Sequence, residues 1–354
     1  MKNKKFFSEN LRKWNLNNNK RQMPWKGETD PYKIWISEII LQQTRVQQGL
    51  DYYERFIKLW PDVESLAAAR ERQVYKTWEG LGYYSRCRNI ITSAKYIAQK
   101  LNGKFPETYN DILALPGVGS YTASAIASFA FNLPHAVVDG NVFRVLSRFF
   151  GIRTPADTTS GKKQFTQLAD ELLDKKNPGI YNQAIMDFGA IICKPALPLC
   201  DKCILQKKCA ANKMQLVDLL PVKEKITQNR NRFFNYFIIE HNNKFYVNKR
   251  TQKDIWQNLY EFICLETELL IPEKKLLNTD AVISLTGNKN IITKTSKIFR
   301  QKLTHQTING RFFHVSIKSE VPSLKRFKKV SVNELHKLPF PKFITSYLQD
   351  KMYL

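Results

Sequence analysis

Along the first two hundred residues, apolar side chains recur at intervals of three and four, the period of helices with one buried face, and Gly and Pro punctuate the repeats. Asp30-Pro31 opens one such helix, with Asp as cap and Pro in the first turn, and the pattern from Tyr32 to Gln48 continues it. Further helices are predicted at about 62–75, 85–101, 108–114, 120–131, 141–150, 161–174 and 178–192. The period is lost over 211–230, where Pro221 sits among Lys223, Glu224, Lys225, Gln228 and Asn229, the composition of a linker. Beyond it the texture changes. Short aromatic and β-branched runs at Phe233–Glu240, Lys244–Asn248, Phe262–Leu265 and Arg311–Lys318 predict strands. Segments Pro272–Leu277, Asp280–Leu285 and Val332–Leu338 add short helices. The pattern therefore predicts a multidomain chain: an all-α domain over 1–213, a linker over 214–230 and an α+β domain over 231–354.

Composition supports two cores. The chain has 354 residues, 43% of them hydrophobic and 12% aromatic, which excludes a disordered polypeptide. The apolar stretch in the first ten residues is only Phe6-Phe7, too short for a signal peptide, and no run is long enough to span a membrane. With 56 Lys plus Arg against 31 Asp plus Glu, the formal charge is +25, and the excess is spread over both halves. Such a field attracts a polyanion and predicts salt-sensitive binding to nucleic acid; a lysine-rich solvated surface is the alternative.

Four of the six cysteines, Cys193, Cys200, Cys203 and Cys209, form a C-x6-C-x2-C-x5-C run without an internal histidine. A short loop of uneven spacing suits one [4Fe-4S] cluster, with a zinc site or unrelated thiols as competing readings. Cys87 and Cys264 have no close partners in sequence, so a disulfide scaffold is not expected and a reducing, cytoplasmic compartment is.

Three further features carry chemistry. In Leu115-Pro116-Gly117-Val118-Gly119-Ser120-Tyr121-Thr122, paired glycines allow a tight turn that presents amide N–H groups at a helix N-terminus, a nest for phosphate; a plain interhelical turn is the bland alternative. Asp139 stands before a new helix, where capping would hold its carboxylate ionised near the positive helix end. Glu38 shares a helical face with Ile34 and Leu41, and burial there would raise its pKa until it could carry a proton at neutral pH. An interface glutamate paired with an arginine is the alternative. A proton donor and an ionised carboxylate form the pair that cleaves a glycosidic bond.

Met23-Pro24-Trp25, the WISEIILQQT segment, Trp78-Glu79-Gly80-Leu81-Gly82-Tyr83-Tyr84, LPGVGSYTA, VVDGNVFRVLSR and the cysteine loop together resemble the adenine DNA glycosylase (MutY) family along almost the whole chain. The resemblance implies a helix-hairpin-helix glycosylase domain with an iron-sulfur loop, a Nudix-like recognition domain, and a monomer acting on double-stranded DNA with adenine opposite 8-oxoguanine or guanine. It implies that Glu38 protonates the extruded adenine at N7 and that Asp139 stabilises the oxocarbenium-like sugar, with or without a covalent adduct. Tyr121 and Asn141 would line the sugar side, with Arg21 and Gln183 near the adenine. Gln43 and Tyr83 would wedge into the base stack, and Gly117 and Gly119 would form the hairpin. Lys26 stands where arginine is frequent, keeping the charge and losing the planar fork. Leu303-Thr304-His305 replaces a Phe-Ser-His loop that touches the damaged base, so Thr304 and His305 would contact 8-oxoguanine without ring stacking. The second domain lacks the glutamate run of Nudix pyrophosphatases, so hydrolysis is not expected there. Tyr121 occupies the position of the Schiff-base lysine of endonuclease III-like enzymes, which implies a monofunctional glycosylase. The rivals are such a glycosylase/lyase on oxidised pyrimidines and a catalytically silent DNA-binding protein.

Overall fold

The computed structural model describes residues 2–23, 25–224, 229–286 and 291–350; Pro24 of the Met-Pro-Trp motif, and Lys225 and Gln228 of the predicted linker, lie outside the described residues. The chain forms two compact units, one from Met1–Ala68 with Arg88–Lys225, the other from Ala69–Cys87 with Ile226–Leu354. Among the described residues, no helix is long and apolar enough to cross a membrane.

The helices in chain order are α1 (Lys2–Asn18), α2 (Pro31–Leu41), α3 (Val46–Leu59), α4 (Val63–Ala68), α5 (Glu71–Thr77), α6 (Tyr84–Lys100), α7 (Tyr109–Leu113), α8 (Ser120–Phe131), α9 (Gly140–Phe150), α10 (Thr159–Leu172), α11 (Pro178–Ile191) and α12 (Ala210–Lys213). Asp30 caps α2 through Tyr32 N at 2.9 Å, as its sequence predicts. The helix then stops at Leu41 instead of running to Gln48. The apolar run gives out at Gln42-Gln43-Thr44-Arg45, and Gln43 turns left-handed at φ +57° before α3 begins. The helix predicted over 62–75 likewise breaks before Arg70, which sits at the N-cap of α5.

The core of the first unit gathers Phe7, Leu11 and Trp14 of α1 with α9 and α11; Trp14 meets Phe188 edge-on at 5.0 Å. Helix α8 is built from small residues, Thr122 to Ser128 all buried, and packs against α2, α7 and α11. That close approach sets α2, α8 and the start of α9 around one cavity.

The second unit is a seven-stranded sheet among the described residues: β1 (Arg230–His241), β2 (Lys244–Lys249), β3 (Tyr260–Thr267), β4 (Ile291–Thr295), β5 (Phe299–Lys302), β6 (Gln306–Ser316) and β7 (Lys328–Ser331), in the order β4-β6-β1-β3-β2-β7, with β5 also on β6. β1 and β6 pair in parallel from Arg230↔Gln306 to Glu240↔Ser316; the other pairings are antiparallel. One face, including stacked Phe237 and Phe313, packs on α13 (Glu273–Leu277) and α14 (Asp280–Thr286). After α15 (Val332–Leu335), the opposite face, with Tyr236 and Phe312, meets α16 (Lys342–Asp350) through Phe343 and Tyr347. The second unit also takes in α5: Lys76 Nζ donates to Leu338 O at 3.1 Å, Phe340 N donates to Glu79 at 2.7 Å, and Asn258 donates to the Tyr75 hydroxyl at 3.0 Å.

Candidate active site

Glu38 is placed by the buried length of α2, where every residue from Ile34 to Ile40 is buried. Its side chain is 8% exposed, and loss of solvent raises its pKa to about 7. A hydrogen bond from Tyr121, in the first turn of α8, opposes the rise, and the nearby Asp139 adds to it. The Tyr121 hydroxyl also lies 3.6 Å from the Met186 sulfur. Burial and these two carboxylates push the Tyr121 phenol well up, so it remains a neutral donor.

Asp139 caps α9, with Oδ1 accepting from Val142 N at 2.8 Å and Oδ2 from Asn141 Nδ2 at 2.7 Å. Sequence reasoning expected the cap to hold this carboxylate ionised. The cap bonds and Arg144 do lower its pKa, but burial outweighs them and the net direction is upward. Asn141 is itself held by Arg144 Nη2 at 2.7 Å, and Arg144 reaches Gly189 O at 2.8 Å and Cys193 O at 2.7 Å. Only glycine fits at 189, because an added Cβ would lie 2.7 Å from Asn141 Cβ. Asp139 is thus fixed to α11 through Asn141 and Arg144.

A cavity of about 1010 Å3 brings together Glu38, Tyr121, Asp139 and Asn141 with Arg21, Gln43 and Gln183. A second cavity of about 310 Å3 shares Trp25, Glu38 and Gln183 with it and is lined by Lys26. Arg21, Lys26 and Gln183 all converge on Asp187, a buried carboxylate of α11 that sequence reasoning missed. Arg144, Met186 and Asp187 lie within or near motifs legible in the sequence, but nothing in their spacing marks their partners.

Gly117, at φ +78°, turns the chain between α7 and α8; an added Cβ there would lie 2.3 Å from Asn89 Nδ2. Gly119 is the N-cap of α8 and has no side chain to satisfy the first N–H groups. In the second unit, Thr304 and His305 are exposed in the turn between β5 and β6, closed by Leu303 N to Gln306 O at 2.7 Å. Within that unit Tyr83, left-handed at φ +48° and 44% exposed, hydrogen-bonds Thr304 between hydroxyls at 2.6 Å.

Residues 36–174 match the family described as "HhH-GPD superfamily base excision DNA repair protein", and residues 235–350 match the "NUDIX domain" family. The adenine DNA glycosylase of Buchnera aphidicola subsp. Schizaphis graminum is 35% identical over 309 residues, covering 86% of this chain and 85% of that protein. The chain belongs to the adenine DNA glycosylase family. The adenine DNA glycosylase of Homo sapiens is 40% identical over 214 residues, 58% of this chain and 39% of its own length. Among solved structures, a thermostable thymine-DNA glycosylase is similar at a TM-score of 0.56 and 30% identity, over 60% of this chain and 98% of that one.

The iron-sulfur expectation for this family member is corrected. Among the described residues, no group of three or more His, Cys, Asp or Glu is placed so that it could hold a metal ion. Cys193, Cys200, Cys203 and Cys209 are free thiols lining a cavity of only about 30 Å3 with Arg148. The guanidinium ties this segment together: Nη1 donates to Lys194 O at 2.7 Å and lies 3.5 Å from the Cys193 sulfur, while Nε donates to Leu220 O at 3.0 Å. The Cys209 thiol donates to Arg148 O at 3.4 Å. Burial pushes the Cys203 thiol up to about 12 and those of Cys200 and Cys209 upward. The fold is a helix-hairpin-helix glycosylase unit with a Nudix-like unit, and among the described residues no iron-sulfur site is formed.

Proposed function

We propose that this protein hydrolyses the N-glycosidic bond of adenine mispaired with 8-oxoguanine or guanine in double-stranded DNA and leaves an abasic site. The observation that carries the reading is the meeting of Glu38, Tyr121 and Asp139 at one cavity, with Glu38 poised near pH 7. Extrusion places the nucleotide in that cavity, its cost of a few kcal/mol offset by phosphate contacts at Gly117 and Gly119 and by wedging from Gln43 and Tyr83. Glu38 gives its proton to adenine N7 as the C1′–N9 bond breaks and the bonding pair leaves with the base. The Asp139 carboxyl group, steadied by Asn141, faces the positive charge that develops on the sugar. Water adds at C1′, and the Glu38 carboxylate accepts its proton. Tyr121 offers a hydroxyl and no amine, so no Schiff base forms and the strand stays intact. Thr304 and His305 are assigned to the base opposite adenine, and the protein acts as a monomer.

The test uses duplexes with adenine opposite 8-oxoguanine, adenine opposite guanine, and an oxidised pyrimidine, assayed with and without alkali. Breaks in the first two that need alkali are expected. Release from the oxidised pyrimidine, or a stoichiometric borohydride-trapped crosslink that Tyr121→Phe leaves unchanged, would establish the glycosylase/lyase instead. Binding without any base release would mark a silent DNA-binding protein.

A further inference from the structure

Strand alternation gives the sheet of the second unit two unlike faces. Phe237 of β1 and Phe313 of β6 lie on the face that packs on α13 and α14. Nearer the β5–β6 turn the same face is open: Asn231 is exposed, and Phe233, Asn309 and Thr267 are half-buried. Register sets Arg300 of β5, Asn309 of β6, Phe233 of β1 and Thr267 of β3 side by side, a row about 14 Å long at ordinary strand spacing. Lys302 pairs with Thr307 in the next row. Phe299 meets Phe312 and Tyr347 on the opposite face, so its neighbour Arg300, and Lys302 after it, project from the open one, and both are exposed.

Charge is divided between the faces. Asp254 and Glu266 are taken up by Arg232 on the opposite face, each at 2.7 Å. On the open face Arg311 donates only to neutral acceptors, Asn235 Oδ1 at 2.8 Å and Ile271 O at 2.6 Å, and the nearby Glu273 acts on it through space alone. Among the described residues, neither Arg300 nor Lys302 is in an ion pair. The rings are divided as well. Phe234, on the opposite face, meets Trp256 edge-on at 5.8 Å and Arg232 at 4.8 Å, whereas among the described residues no ring or cation lies against Phe233.

We propose that this open half-face binds single-stranded nucleic acid, with a base stacked on Phe233, base edges against Asn309 and Thr267, and phosphates along Arg300 and Lys302. Unpaired cations call for a polyanion, and a flat ring without a partner calls for a second flat group. A duplex keeps its base faces stacked inward and offers a sheet little but phosphate. A single strand offers phosphates, base faces and base edges together. Arg311 adds fixed positive charge to the same face. The surface belongs to the second unit and Glu38 and Asp139 to the first, so the inference does not depend on the reading of their cavity.

The experiment measures binding of the full-length protein to a labelled oligothymidylate of about ten nucleotides by fluorescence anisotropy, beside binding to a duplex with adenine opposite guanine. Arg300→Glu combined with Lys302→Glu should weaken the oligonucleotide about tenfold or more and the duplex much less. Phe233→Leu keeps an apolar side chain in β1 and removes the stacking ring, so it should also weaken the oligonucleotide about tenfold. Single-turnover adenine release from saturating duplex should be the same in wild type and variants. An oligonucleotide carrying iododeoxyuridine should crosslink to Phe233 of the wild type on irradiation, which decides the matter if Phe233→Leu does not fold. Absence of oligonucleotide binding by the wild type, crosslinks confined to other residues, or unchanged binding by folded Phe233→Leu overturns the proposal. Equal weakening of oligonucleotide and duplex by the Arg300 and Lys302 changes would assign these cations to the duplex and overturn it too. A wild type that binds the oligonucleotide as expected and releases no adenine sinks the functional reading alone.

Discussion

Glu38 shows how one side chain can be both a liability and a tool. Burial holds its proton to about pH 7, against an ordinary value of 4.5, so part of the protein carries a usable acid at neutral pH. The single-turnover rate of base release should therefore decline above about pH 7, and Glu38→Gln should abolish release at every pH while mismatch binding survives; a rate still rising through pH 8 would rule out this acid. The stability sign runs in the same direction. A carboxyl whose folded pKa is raised contributes its full stability below about pH 4.5 and loses it as pH rises through about 7. Glu38→Gln should consequently be more stable than the wild type at pH 8, by on the order of 3 kcal/mol, and nearly equal to it at pH 4, as read from urea midpoints. Asp139 differs because it also caps α9. Asp139→Asn keeps a good cap, so loss of activity without loss of stability would separate its two roles.

At the scale of elements, the hairpin between α7 and α8 is the part most completely legible in the sequence. Two glycines before a small-residue helix gave both the turn and the tight packing of α8 on α2. The structure adds the reason for glycine at 117: a left-handed backbone with Asn89 against the position a Cβ would take. Gly117→Ala should lower stability by about 2 kcal/mol in chemical denaturation and weaken duplex binding; unchanged midpoints would show that the loop relaxes freely. The breaks at Gln43 and before Arg70 were less legible, since apolar residues resume a few positions beyond each and a short polar stretch does not by itself end a helix. Strands β4, β5 and β7 escaped sequence reading for a similar reason: each is four or five residues long, and its pairing partner supplies most of its definition.

For the whole molecule, charge and architecture point to the same partner. A formal charge of +25 should give steeply salt-dependent duplex binding, with a slope of about −5 or steeper in log affinity against log salt if six or more phosphates are neutralised. A slope near −1 would show that the excess is only a solvated surface. The turn between β5 and β6 belongs to the same unit as Tyr83, and the two meet at Thr304. On the proposed reading, His305→Ala should reduce the preference for 8-oxoguanine over guanine opposite adenine; an equal ratio of rates in variant and wild type would remove His305 from recognition.

By itself the sequence determined the helical half and the strand-rich half, the hairpin, the two carboxylates and the absence of an amine at 121, because each rests on local period, turn chemistry or residue type. Only the tertiary structure decided which groups meet. It joined residues 69–87 to the second unit, gathered Arg21, Lys26 and Gln183 on Asp187, and anchored Asn141 through Arg144 to α11. It also corrected the reading of the cysteine loop, where spacing suggested a cluster and the described residues instead place an arginine among free cysteines, with no group arranged to hold a metal ion. Spacing along a chain constrains which side chains can come near each other; burial and the competition among donors and acceptors determine what they do there.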